Sequence, residues 1–328
     1  MNKPGVNAPA SRRASFGKLH QQTDRYEAHH FLTYTFVIFS HPESPYLYGI
    51  NQEDMKTIIV ATDFSKDASN ALEYAASLAK CIDAKLILYN SFMLPAHAAN
   101  TLMPASGVEK MMASNEASLD YAAVKISCTY GVKTEYASTI GNVEEELDIL
   151  VEKHQADLVV MGMRGNSLDQ KIFGNTTTSV IRHAKYPVLV IPQSVTFNGI
   201  HKILFACDNN CKFSLQTLKM LNEVALQLKA EVQVLHVEKT KKLSPEQVLA
   251  DAGQHTDVEF HLEGIDHTYR DIDGCGVIKG IEQGIDEFEA DLLVMVPQRY
   301  GFWNSMLHKS KTCEMAARSR VPLLSIPN

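Results

Sequence analysis

Ala156-Asp157-Leu158-Val159-Val160-Met161 is a run that returns, almost letter for letter, as Ala290-Asp291-Leu292-Leu293-Val294-Met295. An unbroken apolar run of this length reads as a strand buried on both faces, which belongs in a parallel sheet covered by helices. Its return reads as an internal repeat, and the flanking residues agree. Upstream, Thr57-Ile58-Ile59-Val60-Ala61-Thr62-Asp63 matches Lys202-Ile203-Leu204-Phe205-Ala206-Cys207-Asp208. Downstream, Tyr186-Pro187-Val188-Leu189-Val190-Ile191-Pro192 matches Val321-Pro322-Leu323-Leu324-Ser325-Ile326-Pro327.

Within the first copy, strands alternate with helices. Thr57–Ala61 is a strand, and Asp63 and Ser65 stand where a helix cap is needed before the 3.6-periodic Ala68-Leu72-Ala75-Ala76-Leu78-Ala79. Leu86–Tyr89 is a second strand and Val108–Tyr130 a long helix. Thr134–Ala137 is a third strand, ended by Gly141; Val143–His154 is a helix with Glu144, Glu145 and Glu146 at its positive end. Asp157–Gly162, a helix over Thr176–Ala184 and Val188–Ile191 complete five strands and four helices. The second copy is shorter, with 60 positions from Ala230 to Ala290 against 72 from Ala84 to Ala156, the loss falling mostly in its second helix.

The predicted fold is therefore α/β: two doubly wound five-stranded parallel sheets in tandem, each in the order 3-2-1-4-5, packed as an internal pseudo-dimer. The boundaries are 55–193 for the first domain and 200–328 for the second, with Gln193–Gly199 too short to let the sheets separate. Residues 1–54 fit neither. They open polar, reach the apolar run Phe31–Phe39, and stop before Met55, which is read as the true start or the end of a loose arm. Nine apolar residues are too few to span a bilayer, and the charges after Arg12-Arg13 argue against an export signal.

The 328 residues are 45% hydrophobic and carry a net charge of -7, the wrong sign for a phosphate backbone. Split by segment, the nets are 0 for 1–54, -3 for 55–199 and -4 for 200–328, so no segment is a basic groove. Nucleic-acid and membrane partners are excluded on this reading. The six cysteines suit reduced thiols in a cytoplasm better than a disulfide scaffold, and they lack zinc-site spacing.

In an open parallel sheet, ligands sit beyond the carboxyl ends of the strands where the chain order reverses, here between the first and fourth strands. That points to Ala61 and Asp63 after one strand, and to Gly162, Arg164 and Gly165 through Gly174, Asn175 and Thr176 after the other. Glycines let backbone N–H groups approach an anion, the following helix start presents unpaired donors, and Arg164 adds a charge. The same residues also serve a plain tight turn and helix cap.

These motifs resemble the universal stress protein family in tandem form, from about Met55 to Pro327. The resemblance rests on Ile58–Ser65, Asp157–Gly162 and Val180–Ile191. It implies ATP or AMP, with or without Mg²⁺, held with adenine near Asp63 and phosphates on the glycine loop. It also implies a cytoplasmic stress-response role exerted through binding. The family spacing between the last two glycines is nine residues; here Asn166–Phe173 is eight, and Asn175 stands where a hydroxyl is usual. The second copy keeps the hydroxyl, Ser310, but has Val296, Arg299 and Lys309 in place of glycines, which predicts a degenerate site.

Gly274-Cys275-Gly276 with Gly280 is set aside as a helix start that does not follow a strand, and His236, His261, His267 and His308 as strand-end or loop residues. No catalytic or metal set is legible, so an enzyme is not expected. Two alternatives are carried beside nucleotide-dependent binding: a ligand-free interaction or dimerisation module with a vestigial loop, and a slow ATPase. Further homodimerisation and an unidentified protein partner remain open at this stage.

Overall fold

The computed structural model describes residues 55–92, 105–163, 175–193, 195–207, 213–237, 262, 264–274, 276–297 and 310–328. The reading of residues 1–54 as an extension lies outside them, as does the second helix expected in the second copy.

The elements of the first half follow the expected order. They are β1 (Thr57–Ala61), α1 (Lys66–Ile82), β2 (Lys85–Phe92), α2 (Ala105–Tyr130), β3 (Thr134–Ile140), α3 (Val143–His154), β4 (Leu158–Met163), α4 (Asn175–His183) and β5 (Val188–Pro192). The second half gives β6 (Lys202–Cys207), α5 (Leu215–Leu228), β7 (Glu231–Val237), β8 (His267–Ile272), α6 (Val277–Phe288), β9 (Leu292–Met295), α7 (Lys311–Arg318) and β10 (Leu323–Ser325). Side-chain oxygens cap the helices where the sequence offers them. Ser65, Asn142, Ser214 and Ser310 accept the N–H of Ala68, Glu144, Thr217 and Cys313. Four helices end on left-handed residues that are not glycine: Asp83, Gln155, Lys229 and Glu289, at φ 49 to 55°.

The strand order is β3-β2-β1-β4-β5-β10-β9-β6-β7-β8. The first half thus has the order 3-2-1-4-5, and the second half repeats it in reverse along the sheet. The two expected sheets are one, because β5 and β10 pair antiparallel while the neighbouring pairs β4–β5 and β9–β10 are parallel. Their register is self-complementary: Leu189 faces Leu324, its own counterpart, and Val188 and Val190 face Ser325 and Leu323. A local twofold therefore runs through the Leu189–Leu324 pair.

Each pleat alternates between two cores. Ile58, Val60, Leu158 and Val160 face α1, α2 and α5; Ile59, Val159 and Met161 face α3, α4, α6 and α7. The helices thus cover both faces, as the two-sided apolar runs require. A repeated device fixes the start of each half: Asp157 Oδ2 accepts the N–H of Lys56 and Thr57 at 2.8 and 2.9 Å, and Asp291 Oδ2 accepts those of His201 and Lys202 at 2.8 and 3.0 Å. The halves are also tied outside the sheet. Met55 and Gln227 exchange two hydrogen bonds, and the Phe197 ring stands edge-on to Tyr74 at 5.2 Å.

One expectation needs correcting. Gly274 and Gly276 do follow a strand, β8, with Gly276 capping α6. That strand is the edge of the sheet, away from the point where order reverses, so the run opens an ordinary helix.

Candidate functional site

β1 and β4 are neighbours, and the helices that leave them go to opposite faces: α1 to one core, α4 to the other. The two chain paths diverge at the carboxyl ends, which opens a crevice there. Around it the structure brings together five of the expected residues. Ala61 ends β1, Asp63 follows it exposed, Gly162 lies within β4, and Asn175 and Thr176 open α4. Arg164, Gly165 and Gly174 lie outside the described residues.

The turn after β1 is tightly specified. Thr62 Oγ1 accepts the Phe64 N–H at 3.0 Å, Asp63 Oδ1 accepts the Ser65 N–H at 2.9 Å, and the Asn90 amide donates to the Thr62 carbonyl at 2.6 Å. Together they hold Phe64 in the left-handed region at φ 59°, with its ring 43% exposed. A bulky side chain adopts that backbone only under constraint, at a cost of about 1–3 kcal/mol. Thr62 and Asn90 were not legible as site residues. The signal that could have found them is the second copy, where Cys207 and His236 occupy the same positions.

Gly162 has a packing role of its own. A Cβ there would lie 2.6 Å from the Asp67 carbonyl oxygen and 2.7 Å from its carbon, so the first turn of α1 rests on this residue. Thr177 Oγ1 donates to the Gly162 carbonyl at 3.2 Å, which ties the start of α4 to the same strand end. The second half shows why Val296 is tolerated at the matching place. α5 has 14 residues against 17 in α1, and both end at matching left-handed caps, so the missing residues are those of the first turn. Phe213 and Val296 instead pack against the core that α5 covers. Asn175 aligns with Ser310 through the β5–β10 counterparts, as the spacing implied. Asp208, Arg299 and Lys309 lie outside the described residues.

On the neighbouring strand β2, Tyr89 is buried in the core that α3 and α4 cover, with its hydroxyl 3.0 Å from Thr139 Oγ1. Burial holds its phenol above the usual range, against the pull of its hydroxyl neighbours and with a smaller push from Glu146. His236 and His267 take the strand-end roles expected of them: His236 Nδ1 lies 3.4 Å from the Cys207 carbonyl and His267 Nδ1 2.8 Å from that of Ile265. His261 and His308 lie outside the described residues. Among the described residues no group of three His, Cys, Asp or Glu side chains could hold a metal, and no helix is long and apolar enough to cross a membrane.

Comparison with known proteins matches residues 55–192 to the Universal stress protein family. Universal stress protein G of Shigella flexneri is 45% identical over 51 residues, which is 16% of this chain and 36% of that protein. The chain thus spans about a third of the first curated relatives it matches. A putative universal stress protein of Staphylococcus aureus (strain USA300) is 29% identical over 142 residues, 42% of this chain and 83% of its own length. Among solved structures, a universal stress protein from Archaeoglobus fulgidus DSM 4304 superposes with a TM-score of 0.67 at 22% identity, covering 83% of this chain and 98% of that one. That likeness establishes the fold alone.

Proposed function

We propose, from the match of residues 55–192 to the Universal stress protein family, that the chain is a tandem stress protein that binds ATP or AMP in the first crevice. Its domains run 55–193 and 200–328, joined as a pseudo-dimer, with the second crevice degenerate. The single observation that carries the reading is the divergence of α1 and α4 from adjacent strands, which sets Asp63, Gly162 and the start of α4 around one opening. Adenine lies beside Asp63 in this reading, and the phosphates meet the backbone from Gly162 to Thr176, including Arg164, Gly165 and Gly174. An N–H-lined helix start supplies the counter-dipole that a net charge of -3 in this half does not.

Mg²⁺ would accompany the phosphates, and the action is binding followed by a changed surface for a partner in the cytoplasm. The proposal is one of binding, and turnover is not part of it. Isothermal titration with ATP and AMP, with and without Mg²⁺, tests it: heat and a raised melting temperature are expected, and their absence for both nucleotides overturns it. A second reading, the ligand-free module, has one observation in its favour, since Gly162 is required by α1 whether or not a ligand binds. Gly165→Trp separates the two: lost nucleotide binding with unchanged stability supports the first, and identical behaviour with and without nucleotide supports the second.

A further inference from the structure

The long helix α2 has apolar residues on two opposite faces. On its inner face Leu119, Ala123 and Ile126 are buried in the core shared with α1, and Asn115 ties the helix to β3 through Ser138 Oγ at 2.9 Å. Half a turn round lie Ser114, Ala117, Tyr121, Val124 and Cys128, all exposed, with Tyr121 at 72% and Val124 at 55%. One exposed apolar side chain is ordinary, but these five small or apolar residues recur in alternating steps of three and four, the a and d spacing of a helix seam. A surface helix ordinarily turns a polar face outward, and α2 does not.

The charges flanking the seam identify its occupant. Asp120 takes a g position and Lys125 an e position, both exposed, and no other e or g residue between Ser114 and Cys128 is charged. Neither has an oppositely charged residue three or four places away on α2, so neither is paired along its own helix. In a parallel, in-register pair of helices a g residue stands beside the partner's e residue five places on. Asp120 then meets Lys125 of a second copy, twice about the twofold. An antiparallel pair brings g to g and e to e, where neither charge finds its opposite. The place of α2 admits the parallel pair: it lies over β2 and β3, the last strand at that end of the sheet, with α1 and α5 on its other side. A twofold running along α2 carries the second sheet outward beyond β3, so that the two α2 helices face each other and the other helices of that layer do not.

We propose that the outer face of α2 is an interaction surface for a second copy of this chain. The two copies join through a parallel helix pair centred on Tyr121 and Val124, with an Asp120–Lys125 bridge on each flank. This contact is independent of nucleotide in the first crevice and of the β5–β10 join within each chain.

Sedimentation equilibrium of the full chain in reducing buffer tests it. One helix pair is a small contact, so a dimer with a dissociation constant of about 10–100 µM is expected. Tyr121→Lys sets two ammonium groups against each other in the seam and should weaken the dimer at least about ten-fold, with the melting temperature unchanged because the position is exposed. Asp120→Lys and Lys125→Asp each place like charges on both flanks, so each variant alone should dimerise about ten-fold more weakly. Mixed in equal amounts they form opposite pairs on both flanks, and the parent affinity should return in the heterodimer. A chain that stays monomeric up to about 100 µM, a dimer indifferent to Tyr121→Lys, or a mixture no tighter than its two components overturns the proposal. Should Tyr121→Lys melt early, the charge-reversed mixture decides alone.

Discussion

Replacing Gly162 by Ala probes how β4 and α1 determine each other. The new Cβ would stand 2.6 Å from the Asp67 carbonyl oxygen, 2.7 Å from its carbon and 3.0 Å from the Ala68 nitrogen, where ordinary contact begins at 3.4 Å. Relief requires about 0.8 Å of movement, and all three neighbours are backbone. The turn cannot yield cheaply, because Ser65 caps it and Asn70 anchors the same helix to the carbonyls of Pro192 and Val195 at 3.2 and 3.1 Å. Overpacking of this kind costs about 2–3 kcal/mol. Gly284→Ala is the control. Its Cβ would also meet an atom at 2.6 Å, but that atom is Leu235 Cδ2, the end of a rotatable side chain. Alanine additionally gains about 1 kcal/mol of helix propensity inside α6, so a net cost of roughly 0–1 kcal/mol is expected. Urea unfolding of the full chain, followed by circular dichroism, measures both. If Gly162→Ala costs no more than Gly284→Ala, the claim that α1 rests on β4 at this residue is wrong.

Three further outcomes are expected. Asp157→Ala and Asp291→Ala each free two backbone N–H groups, so both should lose about 1–2 kcal/mol in urea unfolding and agree closely with each other; a large disparity would contradict the equivalence of the two devices. Tyr74 has its phenol raised by burial first and by Asp291 second. Its contribution is therefore intact below the unfolded value near 10 and lost as the pH climbs above it. Tyr74→Phe should make the alkaline loss of stability shallower by up to about 1.4 kcal/mol per pH unit, as read from unfolding between pH 9 and 11. Lys229→Gly relieves a left-handed cap at φ 54° and should raise stability by about 0.5–1 kcal/mol; a loss would show that the cap side chain contributes more than its backbone strain costs.

The repeat was legible because β4 and β9 are buried on both faces, and burial on both faces leaves few residue choices. Boundaries moved where burial weakens. β3 runs on to Ile140 through half-exposed residues that carry no alternation, and β2 runs three residues past Tyr89 in the same way. The join of the halves was visible only as a short linker, since β5 and β10 look alike whether their edges meet each other or solvent. Gly162 was legible as a glycine near an anion site, but its closest neighbour, Asp67, lies far upstream, so its packing role had no local signal. The shorter α5 was hidden because Ser65 and Ser214 are equally good caps.

The swapped register through Leu189 and Leu324 also bears on how the halves can change. In a symmetric pair of identical chains every substitution occurs twice, so a residue useful in one crevice must be tolerable in the other. Here the two edges meet within one polypeptide, and their association does not weaken on dilution. Each half is then free to mutate alone while the other keeps the shared sheet intact. Gly162 against Val296, and Asn90 against His236, are departures that such a covalent twofold permits and a dimer of equals would resist.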